Sequence, residues 1–117
     1  IICRAEGRTP VPEAQQPGAL AAHGAPLAVY LSSGSASSLQ AQLLRSLPPR
    51  TPVLCAHRVG WPAEQLHWTN LENLAQCVTD NGLERQTIFL VLPSHHTPGA
   101  PSRLYAADFS HACREKK

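Results

Sequence analysis

Four short segments of the chain are apolar without interruption, and this pattern restricts the possible folds more than any other feature. They span 1–3, 27–31, 53–56 and 87–92. Runs of this length that do not alternate with polar residues are typical of strands buried on both faces of a sheet. A weakly alternating run at 64–69 is typical of an edge strand with one solvated face. We therefore predict a sheet of about five strands.

Segments with helical periodicity lie between these strands. Leucines recur at helical spacing between 35 and 47, and Pro48 ends the pattern. A second helix is predicted to begin near Thr69, which has a glutamate at the capping-box spacing, and to end at Gly82, which suits the left-handed residue after a last turn. A short helix is predicted over about 17–23, in a stretch otherwise rich in proline and glycine.

Strands that alternate with helices predict an α/β fold. We expect a mixed, mostly parallel sheet of about five strands with helices on both faces. The chain has 117 residues and a mass of 12.6 kDa, which is the size of one ordinary domain, so residues 1–117 are expected to form a single domain with its own core. The sequence has no methionine, which leads us to expect a piece of a longer or processed protein.

The composition argues against several classes of function. Ten Lys and Arg against eight Asp and Glu give a formal net charge of +2, and three of the basic residues lie in the last four positions, so no basic face for nucleic acid is expected. No apolar run approaches the roughly 20 residues that cross a bilayer, so no membrane contact is expected. The four cysteines form no C-x-x-C pair, which favours a reducing, cytoplasmic setting.

Two segments carry a family resemblance. Residues 4–13 read Arg-Ala-Glu-Gly-Arg-Thr-Pro-Val-Pro-Glu and follow the first predicted strand, while residues 102–111 read Ser-Arg-Leu-Tyr-Ala-Ala-Asp-Phe-Ser-His. Leu-Ser-Ser at 31–33, Trp-Pro at 61–62 and Asn-Gly-Leu at 81–83 occur between them in matching order. This set resembles the precorrin-4 and cobalt-precorrin-4 C(11)-methyltransferases, members of the tetrapyrrole methylase family, over essentially the whole chain.

The resemblance implies a two-domain enzyme of cobalamin (vitamin B12) biosynthesis and porphyrin metabolism. Such an enzyme transfers a methyl group from S-adenosylmethionine to carbon 11 of precorrin-4 or cobalt-precorrin-4 and forms a homodimer in the cytoplasm. This chain resembles the C-terminal domain alone, without the family's N-terminal domain and its glycine-rich loop. By that comparison the polypeptide alone is not expected to catalyse methyl transfer. The resemblance assigns no catalytic residue and leaves the metal content of the substrate open.

The loop after the first strand holds the residues predicted to bind substrate, Arg4, Arg8 and Thr9. The tetrapyrrole that the resemblance implies carries many carboxylates, and a guanidinium group binds a carboxylate through two parallel hydrogen bonds. Ligands of α/β sheets also tend to bind at the carboxyl ends of strands. An alternative is a surface loop whose arginines pair with Glu6 or Glu13, and Arg8 and Thr9 could equally serve domain or dimer contacts.

The resemblance maps three strand ends to the cofactor cleft. The first strand end holds Tyr30 and Leu31, the second holds Val59, and the third holds Leu92. Leu31 could flank the cofactor or could simply be core. The sequence departs from the family's pattern twice, because Val59 replaces a small residue and Leu92 replaces a glycine. An alternative function is therefore a non-catalytic tetrapyrrole-binding or interaction module that has lost cofactor binding, and a third is a generic doubly wound domain with a coincidental motif.

Histidines raise the question of a metal site. His95 and His96 are adjacent, and His57, His67 and His111 lie elsewhere in the sequence. No C-x-x-C or H-x-x-x-H spacing accompanies them, so solvated histidines are favoured over a structural metal, and no metal ligand is predicted.

Overall fold

Strands and helices alternate along the chain as the periodicity predicts. The computed structural model describes residues 1–30, 33–94, 99–100, 102–106 and 108–110. In this part of the chain the elements are β1 Ile2–Arg4, α1 Pro17–Ala21, β2 Leu27–Tyr30, α2 Ala36–Leu43, β3 Pro52–His57, β4 Gln65–Asn70, α3 Leu74–Asn81 and β5 Thr87–Val91. The helix predicted over 35–47 ends at Leu43, and a hydrogen-bonded turn from Leu47 N–H to the Leu43 carbonyl, 2.9 Å long, follows it.

The five strands form one mixed sheet in the order β1-β2-β5-β3-β4. The predicted mixed α/β sheet of five strands is confirmed. The prediction that it is mostly parallel is wrong, because β1 and β2 pair in parallel whereas β2–β5, β5–β3 and β3–β4 pair antiparallel. Apolar periodicity identifies a strand but carries no information about its direction. The short connection between β3 and β4 permits only an antiparallel return.

The three α-helices of the described part of the chain all pack on one face of the sheet, so the prediction of helices on both faces is wrong for this part. Odd-numbered residues of β2, β3 and β5 point into a single core together with residues of α1, α2 and α3. Its largest fully buried side chains include Leu27, Val29, Leu39, Leu43, Val53, Leu74, Phe89 and Val91. We call this side the covered face.

The opposite side of the sheet is also apolar but is less buried, and we call it the open face. Strand residues with even numbers form it, and the register places Leu54 between Trp68 on β4 and Leu90 on β5. Leu54 and Leu90 are half-buried, whereas Trp68 is 57% exposed and Ile2 is 79% exposed. The continuous apolar runs therefore reflect two apolar faces, of which the described helices cover one.

The beginning of α3 is held by a side chain of α2, and no capping box forms. The Gln40 side-chain oxygen accepts a hydrogen bond from Ala75 N–H at 2.8 Å, while its amide donates to the Glu72 carbonyl at 3.0 Å. Thr69 lies in β4 and cannot cap the helix. The predicted end is confirmed, since Gly82 has φ 63°, a left-handed conformation that glycine adopts without strain. No helix among the described residues is long and apolar enough to cross a membrane.

Candidate functional site

A cavity of about 520 Å³ opens at the edge of the sheet where β2 and β3 end. The side chains that matter for its chemistry come from three segments: Tyr30 at the end of β2, Arg58, Val59 and Trp61 after β3, and Arg85 and Gln86 before β5. The volume is within the range of about 300–1,000 Å³ that small-molecule sites occupy. Aromatic and aliphatic walls with a few polar groups are also typical of such sites.

The antiparallel direction of β5 explains why its first residues lie at this cavity. β5 lies between β2 and β3 and runs opposite to both. Its beginning, at Thr87, therefore pairs with His57 at the end of β3. The cavity thus combines the carboxyl ends of two strands with the amino end of a third.

The turn after β3 is fixed by its own hydrogen bonds. Trp61 N–H donates to the Arg58 carbonyl at 3.0 Å, and the Glu64 carboxylate accepts a hydrogen bond from Gly60 N–H at 2.8 Å. Gly60 has φ 82°, a conformation that favours glycine. Trp61 remains 59% exposed and Val59 55% exposed, so the turn presents both side chains towards the cavity opening.

Arg58 and Gln86 face each other across the β3–β5 ladder, one residue beyond its last pair. Arg58 N–H donates to the Gln86 carbonyl at 2.9 Å, and its guanidinium Nε donates to Gln86 Oε1, also at 2.9 Å. Their φ angles are 47° and 55°, and they are the two non-glycine residues with positive φ among those described. Such conformations cost of order 1–3 kcal/mol each and concentrate at functional sites.

A buried pair of side chains supports the cavity floor from the covered face. His57 Nδ1 lies 2.9 Å from Thr87 Oγ1, and that hydroxyl donates to the Leu83 carbonyl at 3.1 Å. The same hydroxyl lies 3.2 Å from the Arg85 carbonyl, so two backbone carbonyls can accept its proton. The contact between His57 and Thr87 joins the end of β3 to the beginning of β5.

The structure brings two of the predicted cofactor residues together and separates the third from them. Tyr30 and Val59 line the cavity. Leu92 follows the other end of β5, where its N–H donates to the Pro52 carbonyl at 3.0 Å. The expectation that all three strand ends share one edge is therefore wrong for Leu92, because β5 is antiparallel to its neighbours. Leu31 lies outside the described residues.

The predicted substrate residues lie at the end of β1 and in the loop that follows it. Arg4 pairs with Tyr30 in the β1–β2 register. Its guanidinium donates to the carbonyls of Thr9, at 3.2 Å, and Pro10, at 3.0 Å, so in this structure Arg4 orders the loop. Glu6 accepts a hydrogen bond from Val11 N–H at 3.1 Å and does not serve as an arginine partner there. Arg8 and Thr9 are exposed at the bend of this loop.

The remaining titratable side chains form no comparable cluster in the part of the chain that the structure describes. No group of three or more His, Cys, Asp or Glu residues there is arranged to hold a metal ion. His95, His96 and His111 lie outside the described residues. Cys55 is buried in the core, where burial and the neighbouring Cys77 thiol raise its pKa to about 12. A thiol with so high a pKa is protonated at neutral pH and is a poor nucleophile.

Sequence reasoning missed part of the cavity. Arg58 and Trp61 belong to the run His-Arg-Val-Gly-Trp-Pro at 57–62, so their place in a conspicuous motif was a usable signal. Nothing in the sequence near Arg85 or Gln86 signals a site. Their contribution depends on the direction of β5, which only the pairing of the strands reveals.

Comparison with known proteins supports the family resemblance. The chain is 31% identical over 120 aligned residues to the cobalt-precorrin-4 C(11)-methyltransferase of Priestia megaterium, covering 98% of this chain and 46% of that protein. It is 30% identical over 115 residues to the precorrin-4 C(11)-methyltransferase of Pseudomonas aeruginosa, covering 97% of this chain and 46% of that protein. The chain therefore spans about half the length of the curated relatives it matches. No protein-family model matches it.

Solved structures agree with this similarity. A cobalt precorrin-4 methyltransferase, described as a cobalamin biosynthetic enzyme, superposes with a TM-score of 0.76 at 32% identity, over 79% of this chain and 39% of that one. A uroporphyrin-III C-methyltransferase from Thermus thermophilus, complexed with S-adenosylhomocysteine, gives a TM-score of 0.55 at 18% identity, over 78% of this chain and 39% of that one. The second likeness shows the shared fold alone. The predicted resemblance to the precorrin-4 C(11)-methyltransferases is confirmed.

Proposed function

We propose that this chain is the C-terminal domain of an S-adenosylmethionine-dependent methyltransferase that acts on carbon 11 of precorrin-4 or cobalt-precorrin-4 in cobalamin biosynthesis. The observation that carries the proposal is the similarity to the Priestia megaterium enzyme over 98% of the chain, at 31% identity. The fold supports it independently, with a TM-score of 0.76 to a cobalt precorrin-4 methyltransferase.

The cavity at the ends of β2 and β3 is the part of the cofactor site that this domain supplies. Tyr30 and Val59 offer apolar contact area, and Trp61 adds an exposed aromatic side chain beside them. These walls suit the ring and aliphatic portions of S-adenosylmethionine, which when bound supplies an electrophilic methyl group. Leu31, which lies outside the described residues, stays a cofactor contact predicted from the resemblance. We exclude Leu92, because it lies at the opposite end of the sheet.

The loop that follows β1 is the proposed contact for the tetrapyrrole. Arg8 is the residue available for a carboxylate, since Arg4 is already bonded to two backbone carbonyls of the loop. In this role Arg4 shapes the loop, and Thr9 at its bend contributes a hydroxyl. Removal of Arg4 would therefore disturb the loop as a whole, whereas removal of Arg8 would remove one contact.

The proposed reaction depends on the alignment of the two reactants more than on covalent catalysis. A macrocycle carbon that attacks a sulfonium methyl group needs alignment with that group and exclusion of water. No side chain of this chain is proposed as a nucleophile, which agrees with the protonated, buried thiol of Cys55. The cavity walls and the substrate loop would act by orienting the two reactants.

The proposal includes the family's wider organisation. The complete protein would have an N-terminal domain that closes the cleft, would form a homodimer and would work in the cytoplasm. The 46% coverage of the related proteins is consistent with a further domain of similar size. This chain alone would be inactive in methyl transfer.

Joining this chain to the N-terminal half of its natural protein tests the proposal. We expect methyl transfer from S-adenosylmethionine to precorrin-4 or cobalt-precorrin-4 by the two-domain protein and none by the 117-residue chain. Parallel assays with the cobalt-containing and the metal-free substrate decide between them. A folded two-domain protein without turnover on either substrate would contradict the proposal.

One observation favours a second candidate function, a tetrapyrrole-binding module that no longer binds the cofactor. Val59 lines the cavity, and the resemblance implies a smaller residue at this position, so its side chain would occupy space that the cofactor needs. Titration of S-adenosylhomocysteine into the two-domain protein separates the two functions. Micromolar affinity supports the enzyme, whereas millimolar affinity that Val59→Ala restores to micromolar supports the module.

A further inference from the structure

Two arginine residues line the cavity. Arg58 and Arg85 both line it, and among the described residues neither guanidinium forms an ion pair. Glu84 also lines the cavity, but it already takes part in an interaction of its own. Two like charges held beside one opening repel each other unless an anion lies between them.

The conformation of Arg58 is fixed before any ligand binds. Gln86 accepts one hydrogen bond at its carbonyl and one at Oε1, both from Arg58 and both 2.9 Å long. Because Nε is the guanidinium atom in this contact, the two terminal Nη groups stay available as a fork of donors. The strained φ angles of 47° and 55° show that the fold holds this pair in place at an energetic cost.

We propose that Arg58, oriented by Gln86, and Arg85 bind a carboxylate of the ligand that enters the cavity. A guanidinium fork matches the geometry of a carboxylate, and Trp61 and Tyr30 beside it provide surfaces on which the flat body of the same ligand can lie. The inferred ligand therefore carries a flat conjugated ring system and a carboxylate. In this arrangement Gln86 is a positioning residue, since it acts through Arg58.

Two molecules of the proposed reaction have this chemistry, the tetrapyrrole and the cofactor. The inference rests on the proposed function for naming these two molecules as candidates. The tetrapyrrole has carboxylates on its ring substituents, and the cofactor has one at its amino-acid end. Uroporphyrin III probes the first source. S-adenosylhomocysteine probes the second, with 5′-methylthioadenosine as the matched probe that lacks the carboxylate.

The experiment measures the affinity of these probes for the full 117-residue chain by fluorescence and calorimetric titration. Arg58→Gln and Arg85→Gln are each expected to weaken binding of the carboxylate-bearing probe about tenfold, because a charge-assisted hydrogen bond is lost. Arg50→Gln is the control, since Arg50 is equally exposed but precedes the other end of β3. It should leave the affinity unchanged.

Gln86 variants separate an electrostatic role from a structural one. Gln86→Glu keeps an acceptor for Arg58 Nε but adds a negative charge, so binding should fall about tenfold while the thermal midpoint stays the same or rises. Gln86→Gly suits the observed φ of 55° and keeps the backbone bond, so binding should fall about threefold without loss of stability. Loss of affinity in step with loss of stability would indicate that Gln86 is only structural.

The outcomes are decisive in each direction. A loss confined to uroporphyrin III assigns the arginines to the tetrapyrrole, and a loss confined to S-adenosylhomocysteine, absent with 5′-methylthioadenosine, assigns them to the cofactor. Unchanged affinity in both arginine variants, an equal loss in Arg50→Gln, or no binding of either probe would overturn the inference. Arginine-dependent binding without methyl transfer by the two-domain protein would refute the proposed enzyme and leave this inference standing.

Discussion

The covered and the open faces of the sheet are both apolar, yet they differ in how much of their surface is buried. On the covered face Val29, Val53 and Phe89 are 0% exposed. On the open face Leu66 is 55% exposed and Trp68 is 57% exposed. Adjacent residues of one strand, such as Phe89 and Leu90, belong to opposite faces, so the same stretch of sequence contributes to both environments.

The difference teaches that apolar sequence and burial are separate properties. A continuous apolar run predicts a strand with two apolar faces, but whether each face is covered depends on where the helices pack. Extended apolar surface of this kind is typical of contacts with other protein surfaces. Two predictions compare the two faces in energy, and a third tests the burial of a thiol on the covered face.

The largest difference is expected between neighbouring positions of β5. Phe89→Ala should lower the free energy of unfolding by about 3–5 kcal/mol, because it leaves a cavity in a closely packed core. Leu90→Ala, on the half-buried open face, should cost only about 1–2 kcal/mol. Urea unfolding of both variants measures the values. Equal losses would show that the open face is as well packed as the core.

The second prediction concerns Cys55 on the covered face, whose thiol has an ordinary pKa of 9.0 in the unfolded chain and about 12 in the folded one. The folded state therefore binds more protons than the unfolded state between these values. The free energy of unfolding should fall as the pH rises from about 9 to about 12, by at most about 1.4 kcal/mol per pH unit.

The control for this pH dependence is Cys55→Ala, which removes the thiol. Burial also raises the pKa of Cys3, so the difference between the two proteins, measured by urea unfolding across the pH range, removes the contribution of Cys3 and reports Cys55 together with its interaction with Cys77. A difference that does not change between pH 9 and 12 would mean that Cys55 titrates normally in the folded chain.

The smallest effect is expected on the open face. Leu66→Thr retains a residue that suits a strand, and at 55% exposure it should change the free energy of unfolding by less than about 0.5 kcal/mol. Val53→Thr, on the covered face, buries an unpaired hydroxyl and should cost about 1–3 kcal/mol. A comparable loss in Leu66→Thr would reveal that the open face is covered in solution.

The sequence predicted the elements more reliably than their arrangement. The edge strand at 64–69 is observed as Gln65–Asn70, and Gly82 ends α3 as its backbone freedom suggests. The beginning of α3 was predicted less well, because its N-terminus is held by Gln40, 35 residues away from Ala75 along the chain. A capping rule based on local spacing cannot detect such a contact.

The candidate site was predicted in part. Tyr30 and Val59 were found because they lie at or just after the ends of strands whose relative direction the prediction had right. Leu92 was assigned to the wrong end of the sheet, and Arg85 and Gln86 were missed. Both errors come from the assumption that β5 is parallel to its neighbours. If the direction of a strand is predicted wrongly, the residues at its two ends are each assigned to the wrong end of the sheet.

By itself the sequence determined the strands, the helices, the mixed α/β class and the family resemblance, because periodicity, turn residues and motifs are local properties of a chain. Only the tertiary structure decided the antiparallel insertion of β5, the one-sided packing of the described helices and the meeting of Arg58 with Gln86, 28 residues apart. These features depend on which distant segments pair, and pairing is selected by the packing of the whole domain.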